Sequence, residues 1–366
     1  MKQYLLLLKV TFAIGITSLL MTGLTGIALQ AQAPSTPDAT SEGVEALIAW
    51  NKPEKFDTGM QSQAAINSSG MVVEIHRSES NYKSWYHVGR LTQYGQSVNW
   101  GKSHAIEVAG RSPRDKQVFP TVALTNDNYV IIEYSDGIDK VGSELHYRVG
   151  RISPSGSVDQ DIEWLTADTI YDTGYDSSLS VNAKGVIVEV HESDGKTGIF
   201  YRIGHLEDPS AGKYSIVWDS GDLGIQYDNG VIPHISINNQ NQVVEMHQIN
   251  SKESIVHYRR GTLQFKSGSP ARIVFEASQR YRENAREPAV LLTDRDSVVA
   301  LYQNGNIFWE TGVYHTYNPA YIWWQGNVKM RDNALGRYPG IGSNDVYMIA
   351  TWHLDGKLYY ATAFVP

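Results

Sequence analysis

The sequence predicts an all-β chain, a six-bladed β-propeller of four-stranded antiparallel blades whose last blade is closed by the N-terminal strand. Three observations predict it. Short runs of β-branched and aromatic residues alternate with Gly, Asp, Asn and Ser clusters, as consecutive antiparallel strands do. An aromatic in the third run recurs at Tyr86, Tyr147, Tyr201, Tyr258, Trp309 and Tyr360, spaced by 61, 54, 57, 51 and 51 residues. A second aromatic, closing a fourth run, recurs out of phase with it at Trp50, Trp100, Trp164, Trp218, Phe275 and Trp324. Four strands in about fifty residues make a propeller blade. A sandwich would not explain that period, and no run of useful length carries the 3.6-residue period of a helical solenoid.

Taken in order, the chain begins with Lys2 and Lys9 ahead of an uncharged run, 10–29, and the small residues Ala28, Ala31 and Ala33. Residues 1–33 read as a secretory signal peptide, which implies a secreted or periplasmic protein with no membrane insertion after cleavage. The run is about long enough to cross a bilayer, so an uncleaved N-terminal anchor is the alternative. Residues 34–44 are polar and turn-rich and read as a linker. The propeller is expected over 45–366. It opens on a fourth-strand sequence, Ala46-Leu47-Ile48-Ala49-Trp50, and ends on a third strand over 358–364. The surplus strand at one end matches the missing one at the other, so 46–50 is expected to complete the last blade.

Four of the six second strands carry a glutamate. Val72-Val73-Glu74-Ile75-His76, Ile131-Ile132-Glu133-Tyr134, Val188-Glu189-Val190-His191 and Val243-Val244-Glu245-Met246-His247 align, with weaker copies at 298–302 and 348–352. A blade is covered on both faces, and a buried carboxylate needs a partner or loses its charge. The residue after each third-strand aromatic supplies a base: Glu74 goes with His87, Glu133 with Arg148, Glu189 with Arg202 and Glu245 with Arg259. Where Glu becomes Ala300 or Ala350, the base is also gone, leaving Glu310 and Ala361. An internal salt-bridged layer and a ligand pocket between blades both account for this pairing.

The histidines His76, His191 and His247 share one repeat position. Metal ligands must converge, and copies on different blades converge only near the central channel, so no metal site is assigned and no cofactor is expected. Phe56-Asp57-Thr58-Gly59, Tyr171-Asp172-Thr173-Gly174 and Tyr227-Asp228-Asn229-Gly230 read as turns before the first strand, with Asp172 and Asp228 as candidate binding residues. The chain has no cysteine, which excludes disulfides and thiolate chemistry. A net charge of −8 without a basic stripe argues against nucleic acid and anionic membrane as partners. HExxH, EF-hand, P-loop and GxSxG motifs are absent, as is the Asp box of sialidases.

With its six short blades, its wealth of Trp and Tyr and its late closing strand, the chain resembles the fucose-lectin-like six-bladed propellers and, more loosely, tectonin-type lectins. In the fucose lectins an Arg, a Glu and an aromatic between blades hold each sugar. The resemblance therefore implies sites at Glu133, Glu189 and Glu245 with Arg148, Arg202 and Arg259 and the aromatics Trp164 and Trp218. Blades five and six lack the Glu and the Arg. The implied function is an exported, monomeric, non-catalytic glycan binder with several weak, similar sites. Two alternatives stand beside it: a hydrolase (glycosidase or lactonase-like) with one site at the channel, and a protein-binding scaffold.

Overall fold

The computed structural model describes residues 48–107, 116–137, 142–153, 156–195, 197–315, 321–330 and 336–365. The expected signal peptide, the linker and positions 46 and 47 lie outside the described residues. Those described form six antiparallel sheets. Blade 1 holds Met60–Ile66, Met71–Arg77, Ser84–Leu91 and Val98–Ala105, from the innermost strand outward. Blade 2 holds Val118–Leu124, Tyr129–Ser135 and Glu144–Arg151, with an outer strand broken into Glu163–Trp164 and Thr169–Thr173. Blade 3 holds Tyr175–Val181, Ile187–Glu192 and Gly198–Asp208, then Lys213–Trp218 and Ile225–Asn229. Blade 4 follows with Val231–Ile237, Gln242–Gln248 and Ile255–Gln264, then Arg272–Phe275 and Gln279–Glu283. Blade 5 is Arg286–Leu292, Ser297–Asn304, Asn306–Tyr314 and Ile322–Lys329. Blade 6 has Arg337–Ser343, Tyr347–Leu354 and Lys357–Phe364, and its outer strand is Glu54–Thr58 from the other end of the chain.

Each innermost strand packs against the innermost strands of its two neighbours, and Arg337–Ser343 packs against Met60–Ile66 to close the ring. The N-terminal segment closes the last blade as expected, but the regular ladder is not 46–50. Glu54 pairs with Tyr360 and Thr58 with Lys357. Residues 48–51 run alongside the far half of the same strand, where the Asn51 N–H donates to the Thr362 carbonyl. Ile48, 3% exposed, packs there against Trp352, Met330 and Val365.

Both aromatic series have a physical cause. In five blades the third-strand tyrosine reaches the next blade. The hydroxyls of Tyr86, Tyr147, Tyr201, Tyr258 and Tyr360 accept the N–H of Ile162, Ile216, Ile273, Ile322 and Val98 at 3.0–3.3 Å. At the remaining interface Trp309 meets Trp50 edge to face at 6.5 Å. The fourth-strand ring lies flat over a third-strand glycine: a Cβ on Gly204, Gly150 or Gly312 would come within 3.0 Å of Trp218, Trp164 or Trp324.

Each innermost strand also carries a bulge at its second residue. Gln61, Phe119, Asp176, Ile232, Glu287 and Tyr338 all have φ between 48° and 56°, a left-handed conformation costly for any side chain and most of all for a β-branched one. Side chains of the preceding blade hold these turns. Gln61 Oε1 accepts from the Phe119 N–H at 3.1 Å, Glu192 Oε1 from Ile232 at 2.7 Å and Glu287 Oε2 from Tyr338 at 2.8 Å. The inner edges are satisfied similarly: Ser178 and Ser180 accept from Ile235 and Ile237, and His234 and Ser236 from Val290 and Leu292. An unpaired sheet edge facing the channel is thereby avoided.

Candidate functional site

Register places one polar constellation between blades. Glu74 stands opposite His87, Glu189 opposite Arg202 and Glu245 opposite Arg259. All three carboxylates are fully buried. The pairing expected from the sequence is nevertheless not the one formed. Each Glu holds the histidine two residues on: Glu74 with His76 at 3.0 Å, Glu189 with His191 at 2.9 Å, Glu245 with His247 at 3.1 Å. Burial alone would depress His191 and His247, but the adjacent carboxylates outweigh it and raise both above the ordinary imidazole range. The third-strand base instead turns to an aspartate on the outer strand of the preceding blade. Arg202 Nε lies 3.1 Å from Asp172, Arg259 Nε 2.5 Å from Asp228, and His87 Nε2 2.7 Å from Asp57.

These aspartates are not in turns. Asp57, Asp172 and Asp228 lie in the strands Glu54–Thr58, Thr169–Thr173 and Ile225–Asn229, each with a bulge at the preceding aromatic. The bulge turns Tyr171 and Tyr227 inward, so that their hydroxyls face Glu189 and Glu245. Arg202, 1% exposed, also donates to the carbonyls of Tyr171 and Asp222 and lies 5.0 Å over Trp218. Geometry needs both a strong acceptor set and an aromatic lid to keep a guanidinium out of water, and both are present.

The weaker copies explain themselves. At the blade 4–5 interface the second-strand position is Ala300, and the charges are exchanged: Glu310 occupies the base position and Arg282 the aspartate position, and the two are paired. At the blade 5–6 interface the layer is apolar, with Ala350 opposite Ala361 and Met330 buried beside them.

Blade 2 departs from the sequence alignment. Ile132, not Glu133, stands opposite Arg148, and Glu133 pairs with Tyr147. Glu133 thus faces the opposite way, toward blade 3, and Tyr134 takes the histidine's place. Arg148 donates to the Glu107 carbonyl at 2.8 Å and stacks 4.4 Å over the half-buried Trp164. Glu133 is fully buried, and its polar surroundings include the Glu189 carboxylate, the Tyr171 hydroxyl and the Arg202 guanidinium. Burial first, and Glu189 second, push its carboxyl well above the usual range. A carboxyl raised on folding contributes stability that is full below its unfolded value and is lost as pH rises through the folded one. Glu133→Gln is therefore expected to match the native chain near pH ~4 and to exceed it by about 1–3 kcal/mol at pH ~8. Denaturant unfolding at both values checks this, and a less stable variant at the higher pH would contradict it.

Two cavities lie on the channel. One of about 160 Å³ is walled by residues such as Thr121, Leu179, His234, Ser236 and Ile341, with Asn126, Asn239, Asp294 and Asp345 at its hairpin end. Burial holds the His234 imidazole down at about 4. Burial and the neighbouring Asp294 raise Asp345, whose Oδ1 accepts the Asp294 N–H at 3.1 Å. The other, about 30 Å³, lies at the bulged end beside Phe119, Ile232 and Tyr338. The interface carboxylates Glu133, Glu189 and Glu245 line neither.

Sequence reasoning missed the exposed rings. Tyr321 is 56% and Trp323 68% exposed, on alternate positions of the blade 5 outer edge, and Tyr94 of blade 1 is 65% exposed. The signal was present in Tyr-Ile-Trp-Trp, where the buried Ile322 and half-buried Trp324 alternate with them.

No protein-family model matches the chain, and no match was found among curated proteins. Solved structures do match. The α-L-arabinanase of Penicillium chrysogenum superposes with a TM-score of 0.54 at 10% identity, over 86% of this chain and 98% of its own. A glucose dehydrogenase gives 0.51 at 10% identity over 85% and 98%. The fucose-binding lectin of Aleuria aurantia gives 0.49 at 11% over 83% and 91%. An arabinanase and a glucose dehydrogenase share this architecture, so the likeness establishes the propeller fold and nothing finer.

Proposed function

We propose that the chain is a non-catalytic carbohydrate-binding propeller in which aromatic side chains at the blade rims contact sugar while the polar layer between blades holds the ring together. The carrying observation is the exposed pair Tyr321 and Trp323. Alternate residues of an extended segment share a face about 7 Å apart, and two rings so placed offer a platform for the apolar faces of successive sugar units. The segment is anchored from behind. Arg260 donates to the Tyr321 carbonyl at 3.0 Å and packs 3.8 Å over Tyr314, with Glu276 3.8 Å away. Tyr94 offers a second exposed ring, and several weak contacts of this kind gain avidity on a repeating glycan.

A channel hydrolase is the second reading. It is favoured by Asp294 and Asp345, two carboxylates that border the larger cavity, with burial raising that of Asp345. A glycan array on the purified protein, run with and without chelator, separates the two. Binding is expected that Trp323→Ala weakens about tenfold, the worth of one stacked ring, and that Asp345→Asn leaves unchanged. Glycan cleavage lost in Asp345→Asn would replace the first reading with the second, and no retained glycan would sink the first.

A further inference from the structure

The interface between blades 6 and 1 differs from those of blades 2–3 and 3–4 at two positions of this group, and at the first Phe56 stands where they have Tyr171 and Tyr227. The position held by Arg202 and Arg259 elsewhere is His87 here. Asp57, His76 and His87 consequently bring three ligand atoms within 4.8 Å of one another. His87 Nε2 lies 2.7 Å and His76 Nε2 3.8 Å from Asp57 Oδ2. Each ring is fixed through its other nitrogen: His76 Nδ1 is 3.0 Å from the Glu74 carboxylate and His87 Nδ1 2.9 Å from the Gly101 carbonyl. An acceptor on Nδ1 orients each ring as behind metal-bound histidines, and an ion at the Nε2 atoms would displace the proton that His87 Nε2 shares with Asp57, 2.7 Å away. Both imidazoles are buried while Asp57 is 26% exposed, which leaves an approach from solvent.

We propose that Asp57, His76 and His87 bind a divalent transition-metal ion of the zinc class, with a fourth position open, at the seam where the N-terminal strand closes the ring. Two imidazoles and a carboxylate are a donor set for such an ion. Tetrahedral bonds of 2.0–2.2 Å place ligand atoms about 3.3 Å apart. Measured from Asp57, His76 closes and His87 opens by about half an ångström to meet that spacing, and all three ligand atoms already lie within 4.8 Å of one another. The ion takes the place of the guanidinium that satisfies Asp172 and Asp228 at the sister interfaces. Asp57 belongs to the closing strand and both histidines to blade 1, so the ion braces the interface of blades 6 and 1 and its binding is coupled to folding. This departs from the sequence expectation, which sought ligands among copies of one position on different blades. The ligands come instead from three positions at one seam.

Zinc titrated into the chelator-treated protein is expected to bind at one equivalent and, at a hundredfold excess over Kd, to raise Tm by about 5 °C. His87→Arg sets a guanidinium beside Asp57, as Arg202 and Arg259 stand beside Asp172 and Asp228, so it should fold normally and lose both responses. His76→Gln carries the same test through a different ligand, with binding weakened at least about tenfold. Absence of saturable zinc binding by the native chain would overturn the proposal. Zinc retained unchanged by both variants would also overturn it, and would move the ion to another cluster such as Asp136, Glu144 and His146.

Discussion

Deleting residues 45–59 is expected to yield aggregated or protease-sensitive protein, whereas deleting 34–44 should leave cooperative unfolding intact. The longer deletion removes the ladder from Glu54–Tyr360 to Thr58–Lys357. It also strips Ile48 and Trp50 from the blade 6 core and Phe56 from its stack on Trp100, 5.0 Å away. Three large apolar side chains at roughly 1.5–3 kcal/mol each amount to about 5–9 kcal/mol, comparable with the whole stability of a folded domain. Polar ties go with them: the Tyr360 hydroxyl loses its acceptor Glu54, 2.7 Å away, and His87 loses Asp57. What remains is the bare edge of Lys357–Phe364, whose residues between the terminal Lys357 and Phe364 carry no charge, and such an edge pairs with other chains. Size-exclusion chromatography and limited proteolysis read the outcome. A soluble, cooperatively unfolding monomer from the longer deletion would rule out this closure.

The repeat was legible because two residues do one task per blade. The third-strand Tyr reaches the next blade's backbone, and the fourth-strand Trp covers a Gly, so both recur at a readable period. The register of blade 2 was not legible. Val130, Ile131 and Ile132 are all buried in a sheet covered on both faces. Without alternation between apolar and polar, a one-residue slip leaves no mark in the sequence. Asp-Thr-Gly after an aromatic reads as a turn on composition alone, and only the bulge at Tyr171 or Tyr227 shows that the outer strand continues through it. The covariation of Glu with Arg was real but indirect. Both belong to one layer, yet each is satisfied by a third residue, the His on one side and the outer-strand Asp on the other. The expected site residues Glu189 and Arg202 therefore lie together, fully buried, with Asp172 and Tyr171 completing the group. The exposed rings at Tyr321 and Trp323 lie outside that repeat, which is why a search for equivalent positions passed over them.

The claim that these recurring charges join blades, and are not there to hold ligand, is most directly tested at the interface where the chain has exchanged them. Glu310, 2% exposed, is paired with Arg282, and Ala300 leaves the layer without a second carboxylate. Glu310→Arg alone sets two guanidinium groups against each other, and Arg282→Asp alone sets a carboxylate against a buried one. Each should cost about 3–5 kcal/mol, since breaking a buried pair leaves an uncompensated charge. Together they rebuild the arrangement of Asp228 and Arg259. Denaturant unfolding of the four proteins as a double-mutant cycle measures the coupling. Recovery of at least half the summed loss in the double variant, with glycan binding equal in all four, is the predicted result. Losses that simply add, or single variants that keep their stability while glycan binding disappears, would contradict it.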